Sequence, residues 1–177
     1  MAKNSSNTFE SVLDAFPVSR IRRNHGLEHA TLHILAGRYP KTSLAGHSDM
    51  GGFWILGDVS TEDVRSAVSE GLQRMKDGER NLAVHPNCGT NFVTAGTFAG
   101  VAASLAMFGA GRRFRDKVER VPLAASLATM ALMLAQPLGL IVQEHVTTSG
   151  VPGTLEMVDV IPSNRGRITA HRVVTTG

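Results

Sequence analysis

The densest group of residues able to do chemistry is Asn24-His25-Gly26-Leu27-Glu28-His29, an H-x-x-E-H arrangement in a stretch whose apolar residues recur at helical spacing. At 3.6 residues per turn His25 and His29 lie about 40° apart around the axis and one turn apart along it, so both imidazoles reach one ion. Glu28 falls about 60° to the other side of His25. There it can hydrogen-bond a metal-bound water and take its proton, the part this glutamate plays in inverted-motif zinc hydrolases. His33 continues the stripe as a further ligand, a brace for a ligand, or a histidine satisfied within its helix, and the last reading carries most weight. A third ligand has to come from elsewhere, and the turn His85-Pro86-Asn87-Cys88-Gly89-Thr90 offers an imidazole and the chain's single thiol. Both suit zinc. His25, His29 and His85 alone leave an open position for water, whereas Cys88 as fourth ligand closes the tetrahedron and makes the site structural. Two other readings stay open: HPNCGT as a loop capping an apolar helix with a buried free cysteine, and the histidines as a metal-free hydrogen-bonded network.

Other polar residues carry weaker cases. Glu144 and His145 follow the second apolar stretch, where they serve as an extra ligand or, more simply, mark a water interface. His47 beside Asp49 has the look of a carboxylate–histidine pair, but in a turn between strands it is solvated. Asp58 and His171 make no case of their own. The glycine-rich pieces DMGG and FGAG lack the lysine and the strand-to-helix setting of a phosphate loop.

The elements that must position these groups follow from composition and periodicity. The chain has 177 residues, 42% hydrophobic, 19% charged and 5% aromatic, with a formal charge of +3. That length excludes two large globular domains, and that apolar content excludes a disordered chain. The positive excess lies in Arg112–Arg120, a local basic loop and not the broad basic face with stacking aromatics that nucleic-acid binding needs. One cysteine excludes an internal disulfide. Phe9, Val12, Leu13 and Phe16 predict a short amphipathic helix stopped at Pro17, after a loose polar start at residues 1–8. It would lie on a membrane or cover a core. Residues 18–36 read as a helix with an arginine-rich first turn, which the helix dipole opposes and outside contacts must offset.

TSLAG and GFWILGDV predict a strand hairpin around HSDMGG, Ser60 with Asp63 starts a helix through Lys76, and residues 81–84 read as a further strand. Residues 92–110 and 121–143 carry no charge, and each is long enough for a hydrocarbon core of about 30 Å. Gly96, Gly100 and Ser104 give the first span a small-residue face through which the hairpin is expected to pack on itself, and which also permits a homo-oligomer. Gln136 and Pro137 imply a kink or a lined cavity in the second. LEMVDVI and RITAHRVV predict closing strands around PSNRG that complete the sheet. The basic loop asks for a cytoplasmic hairpin tip, but residues 1–92 show no signal sequence and resist export, so the soluble parts are placed in the cytoplasm.

HGLEHATLH, then HPNCGTNF at the mouth of an apolar span, then QEHVTTSGVPGTLEMV after a second one, resemble the YqhQ-like family of uncharacterised bacterial integral membrane proteins, which carry HGAEH, HPRCGT and a late TTxxP segment ending in E-V. The resemblance covers roughly residues 21–160, and His25, Glu28, His29, His85, Cys88, Gly89 and Thr90 match its signature. Residues 42–84 depart from it, so a related but separate family of unknown function fits equally. The resemblance implies a shared site and a membrane location, and no reaction. It also matches Thr147, Thr148 and Glu156, as pocket residues or as ties for the tail.

The expectation is therefore an α+β protein: a soluble α/β unit at 1–91 (helix, strand hairpin, helix, strand), a transmembrane helical hairpin at 92–143 and a C-terminal strand pair at 144–177. Its expected function is zinc-dependent hydrolysis of a peptide or protein at a bilayer, in a multi-pass protein of the cell membrane. His25, His29, His85 and Cys88 are the candidate ligands and Glu28 the base. The alternative is a non-catalytic membrane protein with a closed metal site or a metal-free network.

Overall fold

The computed structural model describes residues 3–165 and 168–177. The chain divides into two compact units, one of Met1–His85 with Glu144–Gly177 and one of Pro86–Gln143. The fold is a mixture of helices and antiparallel sheet, as the α+β expectation required.

The first unit is built on strands β1 (Ala45–Asp49), β2 (Gly52–Leu56), β3 (Glu156–Arg165) and β4 (Ile168–Thr176), all antiparallel in the order β1-β2-β4-β3. The C-terminal strands complete the sheet begun by β1 and β2, so residues 144–177 belong with residues 1–85. Helices α2 (Val18–Arg38) and α3 (Thr61–Lys76) supply the other layer. Strand alternation turns Phe53 and Ile55 of β2 and Val173 of β4 inward. They meet Leu27, Ala30 and Leu35 of α2 and Val64, Ala67 and Val68 of α3. Truncating fully buried Leu27, Leu35 or Ile55 to alanine costs about 2–5 kcal/mol. At Gly71 a methyl group would stand 3.2 Å from the Ala30 Cβ, so glycine sets how closely α3 approaches α2.

The helix ends follow the local chemistry. The Ser60 hydroxyl accepts from the Asp63 amide at 3.1 Å and starts α3 where the sequence predicted it. The arginines at the head of α2 find carbonyl partners: Arg20 donates to Thr175 O at 2.7 Å and to Gly177 O, and Arg22 to His145 O at 3.1 Å. Protein contacts thus offset the helix dipole there.

Several boundaries differ from expectation. Helix α1 (Lys3–Asp14) begins within the predicted loose segment, and Phe9, Val12 and Phe16 stay exposed, so it does not cover the core. The hairpin turn is tighter than HSDMGG, placing His47 and Ser48 inside β1, because the register pairs Asp49 with Gly52. Residues 81–84 are no strand: Arg80–Ala83 form a 3-10 turn whose neighbouring carbonyls serve histidine rings and not a sheet. Of the predicted turn PSNRG, residues 162–165 lie in β3 and Gly166 lies outside the described residues.

The second unit is an antiparallel pair of helices, α4 (Gly89–Met107) and α5 (Phe114–Val142), and α5 continues into a π turn at Gln143–Thr147. Asn91, at the start of α4, packs on Gly139 near the end of α5, where any larger residue would collide with it. The small-residue face is not the packing face, since Gly96 and Gly100 have open space where a Cβ would stand. Helix α5 starts earlier than predicted because the basic segment itself winds up, with Arg113 and Asp116 capping it. Among the described residues one helix, Phe114–Thr147, is long and apolar enough to cross a membrane, and nearly all of its most apolar stretch is exposed.

Candidate metal centre

Helix α2 carries His25, His29 and His33 at four-residue spacing, and the turn after α3 brings His85 to the same face. Two remote pieces of backbone therefore meet at imidazoles. The rings of His25 and His29 are 4.4 Å apart by centroid, His29 and His85 5.6 Å, and His33 and His85 4.7 Å. Two imidazoles bound to one tetrahedral ion at about 2.0–2.1 Å hold their centroids roughly 5 Å apart. All three separations bracket that value. His25 and His29 offer nitrogens within 4.8 Å of each other.

Main-chain carbonyls orient three of the rings. His25 Nδ1 lies 2.9 Å from Thr147 O, His29 Nδ1 2.7 Å from Ala83 O, and His33 Nε2 2.8 Å from Val84 O. A carbonyl only accepts, so each of these ring nitrogens carries the proton. In the neutral ring the lone pair then sits on Nε2 of His25 and His29, and on Nδ1 of His33. Bracing of the far ring nitrogen by a carbonyl is the usual companion of metal ligation. Burial, followed by the neighbouring His33 and His29, lowers the His85 pKa to about 4, so that ring is neutral at pH 7.

Glu28 turns to the sheet. Its buried carboxylate accepts from the Ser48 hydroxyl and lies against Gly46, where a Cβ would overlap it. Desolvation raises the Glu28 pKa, opposed by the Ser48 hydrogen bond and by the charges of His25 and His47. Gly46 and Ser48 were not foreseen, because their role depends on which strand faces the helix.

The remaining candidates are distributed as follows. Cys88 is buried at the N-terminus of α4, in the helical unit, three residues beyond His85. Glu144, His145 and Glu156 are exposed. Thr147 contributes through its carbonyl to His25, and Thr148 is fully buried. His47 is exposed on β1, and Asp49 bonds Arg172 instead, at 2.7 and 2.8 Å. His171 is a core histidine, 3.1 Å from Thr61 Oγ1.

An uncharacterised protein of Picosynechococcus sp. is 35% identical over 154 residues, which cover 79% of this chain and 71% of the relative. No solved structure matches. The family model described as a domain of unknown function, DUF6391, matches residues 20–160, which span the histidine stripe, HPNCGT and both long apolar helices, and the chain belongs to that family.

Proposed function

We propose that this chain is a membrane-anchored, zinc-dependent hydrolase. The observation that carries the reading is the packing of the His29 ring against those of His25 and His85, at centroid separations of 4.4 and 5.6 Å. The ion would be held by these imidazoles with water in the open position, and it would supply Lewis-acid polarisation of a scissile carbonyl. Glu28, buried beside His25, is the residue to take the proton from the attacking water, and a peptide or amide bond is the substrate to test first.

Membrane anchoring is supported by the exposed apolar surface of α5 and by the length of α4, which at 19 residues reaches about 28 Å. In this reading both helices span as a multi-pass hairpin, α1 lies on the bilayer through Phe9, Val12 and Phe16, and the α+β unit faces the cytoplasm.

One observation favours a second reading, a closed non-catalytic site. Glu28 spends an oxygen on Ser48, and Cys88 follows His85 closely enough in sequence to serve as a fourth ligand. The full chain in liposomes, assayed on fluorogenic peptides, separates the two. Hydrolysis predicts that Glu28→Gln keeps its metal and loses turnover at least 100-fold, while His29→Ala loses the metal. A Glu28→Gln protein with full metal and unchanged turnover overturns the base assignment.

A further inference from the structure

The unit of residues 86–143 holds a cleft of about 500 Å³ between the start of α4 and the later turns of α5, within the range of about 300–1,000 Å³ usual for small-molecule sites. Leu132, Gln136 and Leu140 line it from α5 at four-residue spacing and so share one face of that helix, and Phe92 lines it from α4. Phe92, Leu132 and Leu140 are also exposed, so the cleft opens sideways onto the surroundings of the helix pair. No charged side chain is among the described residues that line it. Asn91 is committed at both ends of its amide: Nδ2 donates to Pro86 O at 2.7 Å, and Oδ1 accepts from Gln143 Nε2. Gln136, by contrast, makes no hydrogen bond to the described residues, although it lies within the uncharged stretch 121–143. Water serves such an amide in solution, but hydrocarbon offers it nothing, and an unmet hydrogen-bonding group there is strongly unfavourable.

We infer that this cleft binds one ester-linked membrane lipid, whose acyl carbonyl accepts a hydrogen bond from Gln136 Nε2 while its chain lies along Leu132, Leu140 and Phe92. This rests on the reading of α4 and α5 as a pair embedded in a bilayer, and it does not depend on the metal site. The depth agrees. Gln136 precedes the end of α5 at Val142 by six residues, about 9 Å at 1.5 Å rise. The polar layer on each side of a bilayer is about 5–8 Å deep, so with Val142 at its outer edge Gln136 lies where the hydrocarbon begins. That is the level of the esters that join acyl chains to a headgroup. The uncharged lining suits a carbonyl and leaves phosphate or ammonium groups in the polar layer, where water solvates them. A membrane helix of another chain fits less well, because its main-chain carbonyls are already used in its own hydrogen bonds.

The test titrates the full chain in mild detergent with dioleoyl phosphatidylcholine and with its ether-linked analogue, which keeps the headgroup and chains but has no acyl carbonyl. Native mass spectrometry counts bound lipid, and flotation with phosphatidylcholine liposomes checks the membrane reading separately. The wild-type chain is expected to hold one ester lipid about 10-fold more tightly than the ether lipid, as one hydrogen bond provides. Gln136→Leu is expected to float as the wild type does and to lose that preference. Ala95→Phe, which fills the cleft, is expected to float and to bind neither lipid. Equal affinity for the two lipids in a wild-type protein that floats overturns the Gln136 contact and leaves the membrane reading intact, as does a preference that survives in Gln136→Leu. Unchanged lipid binding in Ala95→Phe overturns the location. A lipid-free wild-type dimer that becomes monomeric on Gln136→Leu puts a second copy in the cleft and overturns the lipid. Failure of the wild type to float overturns both the occupant and the membrane reading on which it rests.

Discussion

Asn24 immediately precedes the histidine stripe and locks α2 to the sheet, so its removal tests whether that lock holds the site together. The side chain is fully buried. Its amide donates to Asp49 O at 2.8 Å and more weakly to Met50 O, and its carbonyl oxygen accepts from Thr175 Oγ1 at 2.7 Å. Asn24→Ala leaves the Asp49 carbonyl and the buried Thr175 hydroxyl without these partners. Each such loss costs about 1–3 kcal/mol, so the two together come to about 3 kcal/mol once partial relaxation is allowed. The single tryptophan, Trp54, lies on β2 with the Arg172 guanidinium 5.5 Å from its ring, and its fluorescence reports opening of this sheet. With a urea slope of about 2 kcal/mol per molar, the midpoint should fall by about 1.5 M. Asn24→Asp should fare no better, since it keeps the acceptor for Thr175 but sets a carboxylate against two carbonyls. A midpoint within about 0.3 M of wild type for Asn24→Ala would refute the reasoning, because the bonds would then contribute nothing to the docking of α2.

Further outcomes follow from the same contacts. The lowered His85 pKa means the folded state binds fewer protons than the unfolded chain below the ordinary histidine value, so the metal-free protein should hold its full stability above pH 6.5 and lose it as the pH falls towards about 4. His85→Ala should remove that slope, as seen in thermal melts across pH 4–7. Asp49, held below its usual range chiefly by the Arg172 hydrogen bonds, acts in a separate and more acid window: its contribution is present above the ordinary carboxylate pKa and is lost as the pH falls through the lowered value. Arg172→Lys, which gives up the paired bonds to Asp49 and the stacking on Trp54, should cost no more than about 1 kcal/mol because Asp49 is partly exposed, and it should shift the tryptophan emission. Gly46→Ala should displace the Glu28 carboxylate and destabilise the fold, read as a lower melting temperature, whereas Gly37→Ala, with open space at its Cβ, should be neutral or stabilising.

Much of this was legible because it is written in local patterns. The bounds of α2, α3 and α4 and the Ser60 cap follow from periodicity and end signals within a few residues, and α5 was foreseen as an apolar helix without its basic first turns. The four-residue spacing of His25, His29 and His33 on one helix was legible from periodicity, while the ring contact of His85 with His29 and His33 depends on how the turn after α3 packs. What escaped lies in main-chain acceptors and in strand pairing. The carbonyls of Ala83, Val84 and Thr147 fix the ring tautomers, and a carbonyl has no residue type to betray it. The run at 81–84 looked like a strand by composition, yet its backbone is spent on the histidines. Ser48 and Gly46 gained their roles only when β1 was set beside Glu28. The small-residue face of α4 shows the limit from the other side, for that spacing permits close packing without requiring it.

The central claim is that imidazoles from α2 and from the turn at His85 share a cation. Zinc-edge absorption on the purified full chain, with elemental analysis of the same sample, tests it most directly. The account predicts at least one zinc per chain, nitrogen neighbours at about 2.0–2.1 Å with the outer-shell scattering of several imidazoles, and loss of that signal in His29→Ala. Zinc far below one per chain after purification without chelators and with zinc supplied, together with a melting temperature that metal leaves unmoved, would contradict it.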